Sequence, residues 1–204
     1  MNNNHDNHAC THSQQANPYT QSLEELDFSK SIHQACLQGD LSKVKAHITK
    51  KGSRVVNERD TAGYTPLVLP VFVRHHYGAR SGHEEICKLL LENGADPNAT
   101  TPELLSTVST SRQRFSRPLS RAAAGNHIKV VTLLLRHGAN PKLVDSGGQS
   151  PLHKACENSS IAVAKLLIEQ DRGLIGVKDN RGRGPLDCCR SKDDEVVLMN
   201  ALQL

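Results

Sequence analysis

Residues 145–153 read Asp-Ser-Gly-Gly-Gln-Ser-Pro-Leu-His, and the Ser-Pro-Leu within them does not stand alone. Thr65-Pro66-Leu67 and Arg117-Pro118-Leu119 come before it, and Gly184-Pro185-Leu186 comes after. From Arg117 to Ser150 is 33 residues and from Ser150 to Gly184 is 34. A fixed period of this length marks a stack of units, each burying its apolar face only against its neighbours. A second marker, Gly-Ala at Gly94 and at Gly138, closes the units in between. Thr65 to Arg117 is 52 residues, so this interval carries inserted sequence. One insert falls at about 68–75, inside the second unit, and the other in the Ser/Thr-rich run at about 100–113. Both read as loops that bulge from the stack without shifting its register, or as translated intron.

Each unit carries its own start and stop signals. Thr65 and Ser150 put a capping hydroxyl before a proline, which is tolerated at the first helical position because its missing N–H has no partner there anyway. A short helix is therefore predicted after each. A second helix is predicted in EEICKLLLENGA (84–95) and HIKVVTLLLRHGA (127–139), where Leu, Ile and Val recur at helical spacing and a glycine stands at the end. Aromatic residues are only 3% of the chain and Trp is absent, so Leu, Val, Ile and Ala must fill the core.

The unit D-x-x-G-x-T-P-L-H…G-H…L-L-L-x-x-G-A-D-x-N resembles the ankyrin repeat. The resemblance rests on Asp60 to Leu67, Gly82-His83, Gly94-Ala95-Asp96, Asp145 to His153 and Asp179 to Gly182, and it covers roughly residues 23–204. The opening 22–48, SLEELDFSKSIHQACLQGDLSKVKAHI, resembles the atypical first repeat of a small family, ankyrin repeat domain-containing protein 39, whose members hold little beyond the repeats. The implied fold is an all-α ankyrin-repeat solenoid of helix-turn-helix units joined by β-turn-like finger loops. Its expected divisions are a disordered tail (1–21) and an ankyrin domain (22–204). Within the domain come an N-terminal capping repeat (22–59), repeats at about 60–99, 114–144 and 145–178, and a C-terminal cap (179–204). Ser120 stands where the repeat has His, Asn126 where it has Gly, and Ser159-Ser160 where it has Gly-His. The third repeat should accordingly be the least regular. The fourth reads IEQDRGLIGVKD (168–179) without a Gly-Ala-Asp, so its closing loop should differ.

Composition narrows the function. Lys plus Arg number 25 and Asp plus Glu 21, a net charge of +4, too mild to announce a nucleic-acid partner. The longest apolar run, Leu67 to Val73, is broken by Pro70 and far shorter than the roughly 20 residues that span a bilayer. The first ten residues, MNNNHDNHAC, lack the features of a secretory signal, so a cytoplasmic location, with the nucleus as well, is expected, and the cysteines should stay reduced. Cys36, Cys87 and Cys156 read as core fillers, and Cys188-Cys189 as vicinal thiols that would respond to oxidation if exposed. His8, Cys10 and His12, with His5 nearby, carry zinc-ligand chemistry, but the Asn-rich tail around them makes incidental histidines the better reading. No metal and no cofactor are expected. By the resemblance, His153 bridges neighbouring turns through hydrogen bonds.

These readings point to a monomeric, non-catalytic module that binds another protein through a rigid face. By the resemblance, the partner-binding residues are Tyr64 and Gln149 at the finger tips. On the first helices they are Tyr77, Arg80, Arg121, Lys154, Glu157 and Asn158. The alternative is nucleic-acid or phosphate contact through the Arg-rich stretch 112–121, with Arg112, Arg114, Arg117 and Arg121. Only Phe115 interleaves these, whereas single-strand readers stack bases on several rings. Asn98, in LLLENGADPN, resembles an asparagine accepted by asparaginyl hydroxylases, against a purely structural role in its turn.

Overall fold

The computed structural model describes residues 31–61, 63–68, 80–100 and 117–202, without the side chains of 80–83 and 201–202. The tail 1–21, Tyr77, Arg112, Arg114 and nearly all of both inserts lie outside the described residues, as does the side chain of Arg80. The described residues form eight α-helices: α1 (Ile32–Gln38), α2 (Leu41–Lys51), α3 (Arg80–Glu92), α4 (Pro118–Ala124), α5 (Ile128–Arg136), α6 (Pro151–Glu157), α7 (Ile161–Gln170) and α8 (Lys192–Leu202). Short 3₁₀ turns occupy Ser53–Asn57, Arg172–Gly176 and Leu186–Cys188, and no strand occurs among the described residues. Helices pair in sequence as α1/α2, α4/α5 and α6/α7. First helices then stack on first helices, α4 against α6, and second helices on second helices, α3 against α5 and α5 against α7.

Local chemistry explains the boundaries. Pro118 and Pro151 open α4 and α6, and Ser150 caps α6 while Ser31 and Asp40 cap α1 and α2 by accepting N–H bonds from Gln34 (3.2 Å) and Lys43 (3.0 Å). Arg117 stands at the cap position of α4 without a capping bond, so this helix starts on its proline alone. Gly94 and Gly138, with φ of 84° and 86°, end α3 and α5 in the left-handed conformation that glycine adopts without strain.

Between the paired helices the chain makes the same left-handed turn three times, at Gly39 (φ 73°), Asn126 (58°) and Ser159 (54°). Loss of the glycine at the last two changes their cost and not their geometry. The third repeat, expected to be the least regular, therefore keeps both helices in place. The fourth closes differently, through the 3₁₀ turn Arg172–Gly176, and the first does likewise through Ser53–Asn57.

Two expectations are corrected here. Helix α3 begins at Arg80, so Arg80 belongs to a second helix and not a first, and Gly82-His83 lie inside the helix instead of in the turn before it. Glycine takes helical φ as readily as positive φ, so Gly82 does not enforce a turn. Val68, placed at the start of a bulging insert, is fully buried in the turn Thr65–Val68, its N–H donating to Thr65 O at 3.1 Å. An isopropyl side chain next to Leu67 gains more from the core than from water.

The core runs the length of the stack through Val44, Leu67, Ile86, Leu90, Leu134, Leu152, Leu167, Leu174 and Leu198, all fully buried. Small residues lie between the first helices: Ala35-Cys36, Ala122-Ala123 and Ala155-Cys156. Cys36, Cys87 and Cys156 are core thiols with no exposure. Burial pushes the Cys87 thiol up to about 12 and raises Cys36 and Cys156 as well, which leaves all three protonated and unreactive.

Candidate functional site

Three finger turns share one construction. In each, an Asp carbonyl accepts the N–H of the glycine three residues on: Gly63 to Asp60, Gly148 to Asp145 and Gly182 to Asp179, at 2.8 to 2.9 Å. The Asp N–H donates to the carbonyl four residues on, at Tyr64, Gln149 and Arg183. The carboxylate then fills the turn. Asp145 Oδ1 accepts N–H bonds from Gly147 and Gln149, and Asp179 Oδ1 accepts them from Arg181 and Arg183. The glycines stand at φ 73° to 76°, and a Cβ on Gly148 would lie 2.5 Å from Asn180 Oδ1, so this finger is closed to any larger residue.

Histidines tie fingers to helices. His153 Nδ1 accepts from Ser150 N–H (3.1 Å) and Ser150 Oγ–H (2.8 Å), and its Nε2–H donates to Arg183 O across to the next finger (3.2 Å). The bridging role implied by the resemblance is thus realised. His33, which sequence reading did not single out, repeats it by donating from Nε2 to Glu58 O (3.0 Å) and Tyr64 O (3.1 Å). The signal was present, since Ile32-His33-x-Ala35-Cys36 matches Leu152-His153-x-Ala155-Cys156 residue for residue.

Asparagines link the other ends of the units. Asn57 donates to Gly94 O and accepts from Asp96 N–H, each at 2.8 Å. Asn98 repeats this one unit on, donating to Gly138 O (3.1 Å) and accepting from Asn140 N–H (2.8 Å). Both polar atoms of the Asn98 amide thus serve the next repeat instead of the turn in which the residue stands. At the following step Lys142 takes over with an ion pair to Asp171 at 2.9 Å.

Against this frame the expected partner-binding residues separate. Gln149 is a correction: it is only 3% exposed, because its backbone closes the finger and its side-chain Oε1 accepts a hydrogen bond from Lys154 Nζ. The tip of that finger is Ser146-Gly147. Lys154 is half-buried and reaches the buried Asp145 carboxylate at 3.2 Å and Glu157 at 3.8 Å, so its charge is largely spent within the repeat. Asn158 caps α6 and donates to Lys154 O. Tyr64 is half-buried, and Arg121 lies half-buried on α4. Glu157 is exposed. Arg121, Lys154 and Cys188 hold the same place in three successive units, one residue before Ala122, Ala155 and Cys189.

The electrostatics are those of a supporting frame. Burial opposes charge on Asp179, but the Arg183 and Arg181 N–H groups and the Arg183 guanidinium, 2.7 Å away, outweigh it and hold the carboxyl down to about 2. Burial holds His153 below its usual 6.5. It also raises the half-buried Cys188 and Cys189 thiols, so they are not poised as thiolates. Among the described residues no group of three His, Cys, Asp or Glu side chains is arranged to hold a metal. No helix among them is long and apolar enough to cross a membrane.

A three-copy ankyrin-repeat model matches residues 117–199, and a single-repeat model matches 62–102, together more than half of the sequence. The chain belongs to the ankyrin-repeat family. It is similar to human ankyrin repeat domain-containing protein 39, with 40% identity over 96 residues, covering 47% of each chain. It is also similar to human DNA-binding protein RFXANK, 36% identical over 99 residues, which is 48% of this chain and 34% of that protein. The mouse B-cell lymphoma 3 protein homolog is 29% identical over 164 residues, 79% of this chain and 32% of the relative. The aligned stretch thus spans about half or less of these relatives. Ankyrin repeats and such relatives are in general interaction or regulatory proteins and not catalysts.

Proposed function

We propose that this ankyrin-repeat chain is a non-catalytic adaptor or regulatory module that binds another protein through its finger loops and the exposed positions of its first helices. One observation carries the reading. Fingers and first helices are fixed by internal bonds from Asp145, Asp179, His33, His153 and Ser150, and none of these groups is left to do chemistry. A face held this rigidly loses little side-chain and loop freedom when a partner docks. Arg121 and Glu157, with Tyr77 in the unit before them, remain the contact residues. Gln149 and Lys154 act behind them as supports. The chain acts as a monomer in the cytoplasm and nucleus, where its thiols stay reduced.

Affinity capture with the full chain tests this. Arg121→Glu with Glu157→Lys inverts the face, while Lys88→Glu with Glu169→Lys changes only the exposed sides of α3 and α7. The first pair should lose partners that the second pair keeps; identical recovery by both would refute the face. Asn98 stays a proposed hydroxylation position, tested by mass spectrometry of its peptide from cells with an active asparaginyl hydroxylase. No added oxygen at full coverage would leave only its bridging role.

A further inference from the structure

The second helix of the first described unit carries charge of a single sign. From Leu41 to Asn57 the sequence holds Lys43, Lys45, Lys50, Lys51 and Arg54 and no Asp or Glu. All five are exposed, and among the described residues Lys43 alone is paired, with the capping Asp40 at 3.1 Å. Among the described residues no ion pair includes Lys45, Lys50, Lys51 or Arg54. The adjoining α3 bears Glu84, Glu85 and Glu92, but Glu84 is taken by Lys129 at 3.2 Å and the other two pair with none of these cations. His47, amid the patch, is held below its usual value by its burial and then by Lys51 and Lys50, as a local positive field requires.

Helix chemistry accounts for part of this. Lys50 and Lys51 lie in the last turn of α2, where cations favour the helix dipole. Lys45 in mid-helix and Arg54 beyond its end gain nothing from that, and four cations with no ion pair among the described residues repel each other on one short element.

We propose that the exposed cations of α2 and of the turn after it dock an acidic segment of a partner protein, at a surface separate from the fingers. An 11-residue helix is about 16 Å long at about 1.5 Å per residue, a length that an extended run of about five residues covers at about 3.3 Å each. Side chains alternate along such a run, so carboxylates at its first, third and fifth positions would share one side and reach cations of this segment. A membrane fits less well, because Val44, Val55 and Val56 are buried and Leu41 and Ile48 are not exposed, leaving nothing apolar to enter a bilayer. Single-stranded nucleic acid fits less well too. No aromatic residue occurs in 41–57 to stack a base, and Arg54 is the one guanidinium able to fork a phosphate.

The test is fluorescence anisotropy of the full chain with a labelled peptide of six consecutive glutamates flanked by glycines. Parallel arms carry a single-stranded RNA, a DNA duplex and vesicles of anionic phospholipid. Wild type should bind the peptide, less tightly as salt rises. The variant Lys45→Gln/Lys50→Gln/Lys51→Gln/Arg54→Gln should bind at least tenfold more weakly with an unchanged melting temperature. A control, Lys165→Gln/Lys192→Gln, should bind as wild type does. Equal binding by the quadruple variant would overturn the proposal. So would tighter binding of RNA, duplex or vesicles than of peptide at physiological salt. The finger-face reading is unaffected by either result, since none of its residues is changed.

Discussion

Ser159 holds the left-handed turn between α6 and α7 at φ 54°, and glycine there should stabilise the chain. A non-glycine residue in this conformation is strained by roughly 1–2 kcal/mol. Ser159 is exposed, so its side chain offers no burial in return. Against the relief, glycine loosens the unfolded chain by about 0.4–1 kcal/mol. The net for Ser159→Gly is a gain of about 0.5–1 kcal/mol, a rise of about 1–4 °C in melting temperature for a chain of this size. Asn126 holds the equivalent turn at φ 58°, but asparagine tolerates this region, so Asn126→Gly should change stability by under about 0.5 kcal/mol. Gly39, at φ 73°, is the reverse case, and Gly39→Ala should cost about 1 kcal/mol. Urea unfolding of the three variants beside wild type reads the order directly. A destabilised Ser159→Gly, or a gain at Asn126 exceeding that at Ser159, would refute the turn assignment.

His153→Ala should cost about 2–4 kcal/mol, because it strands buried donors at Ser150 and the carbonyl of Arg183; urea midpoints measure it. The folded pKa of His153 lies below 6.5, so the unfolded chain binds the proton more readily and stability should fall as pH drops below 6.5; His153→Gln should flatten that part of the profile. Asp179 contributes stability above its ordinary carboxylate value that is lost as pH falls from about 4 to about 2. Asp179→Asn should remove this loss while weakening the chain at neutral pH, as acid titration of unfolding would show. Asn98→Ala removes two inter-repeat hydrogen bonds and should cost about 1–3 kcal/mol, with faster amide hydrogen exchange at Asn140.

The repeat was legible because its determinants are local. Ser150-Pro151-Leu152-His153 writes a cap, a first helical residue, a core residue and a bridge in four consecutive letters, and the 33-residue spacing repeats them. What eluded the reading depends on contacts between units. The family pattern puts Gln149 near a finger tip, yet its exposure depends on where Lys154 and the next unit lie, and it is buried. Asn57 and Asn98 look like ordinary loop residues until the following repeat supplies Gly94 and Gly138 as acceptors. The start of α3 was misread for the opposite reason. Gly82 permits two backbone conformations, and the sequence around it does not choose between them. Lys154 was named for its position on the first helix, but the partner that consumes its charge, Asp145, is nine residues back.

The measurement that bears most directly on the account is quantitative affinity-capture mass spectrometry, run on wild type, Arg121→Glu/Glu157→Lys and Lys88→Glu/Glu169→Lys, all matched for melting temperature. The account predicts at least one prey protein recovered equally by wild type and the α3/α7 variant and depleted at least tenfold by the first-helix variant. Equal recovery of every prey by all three chains would contradict binding through the finger and first-helix face.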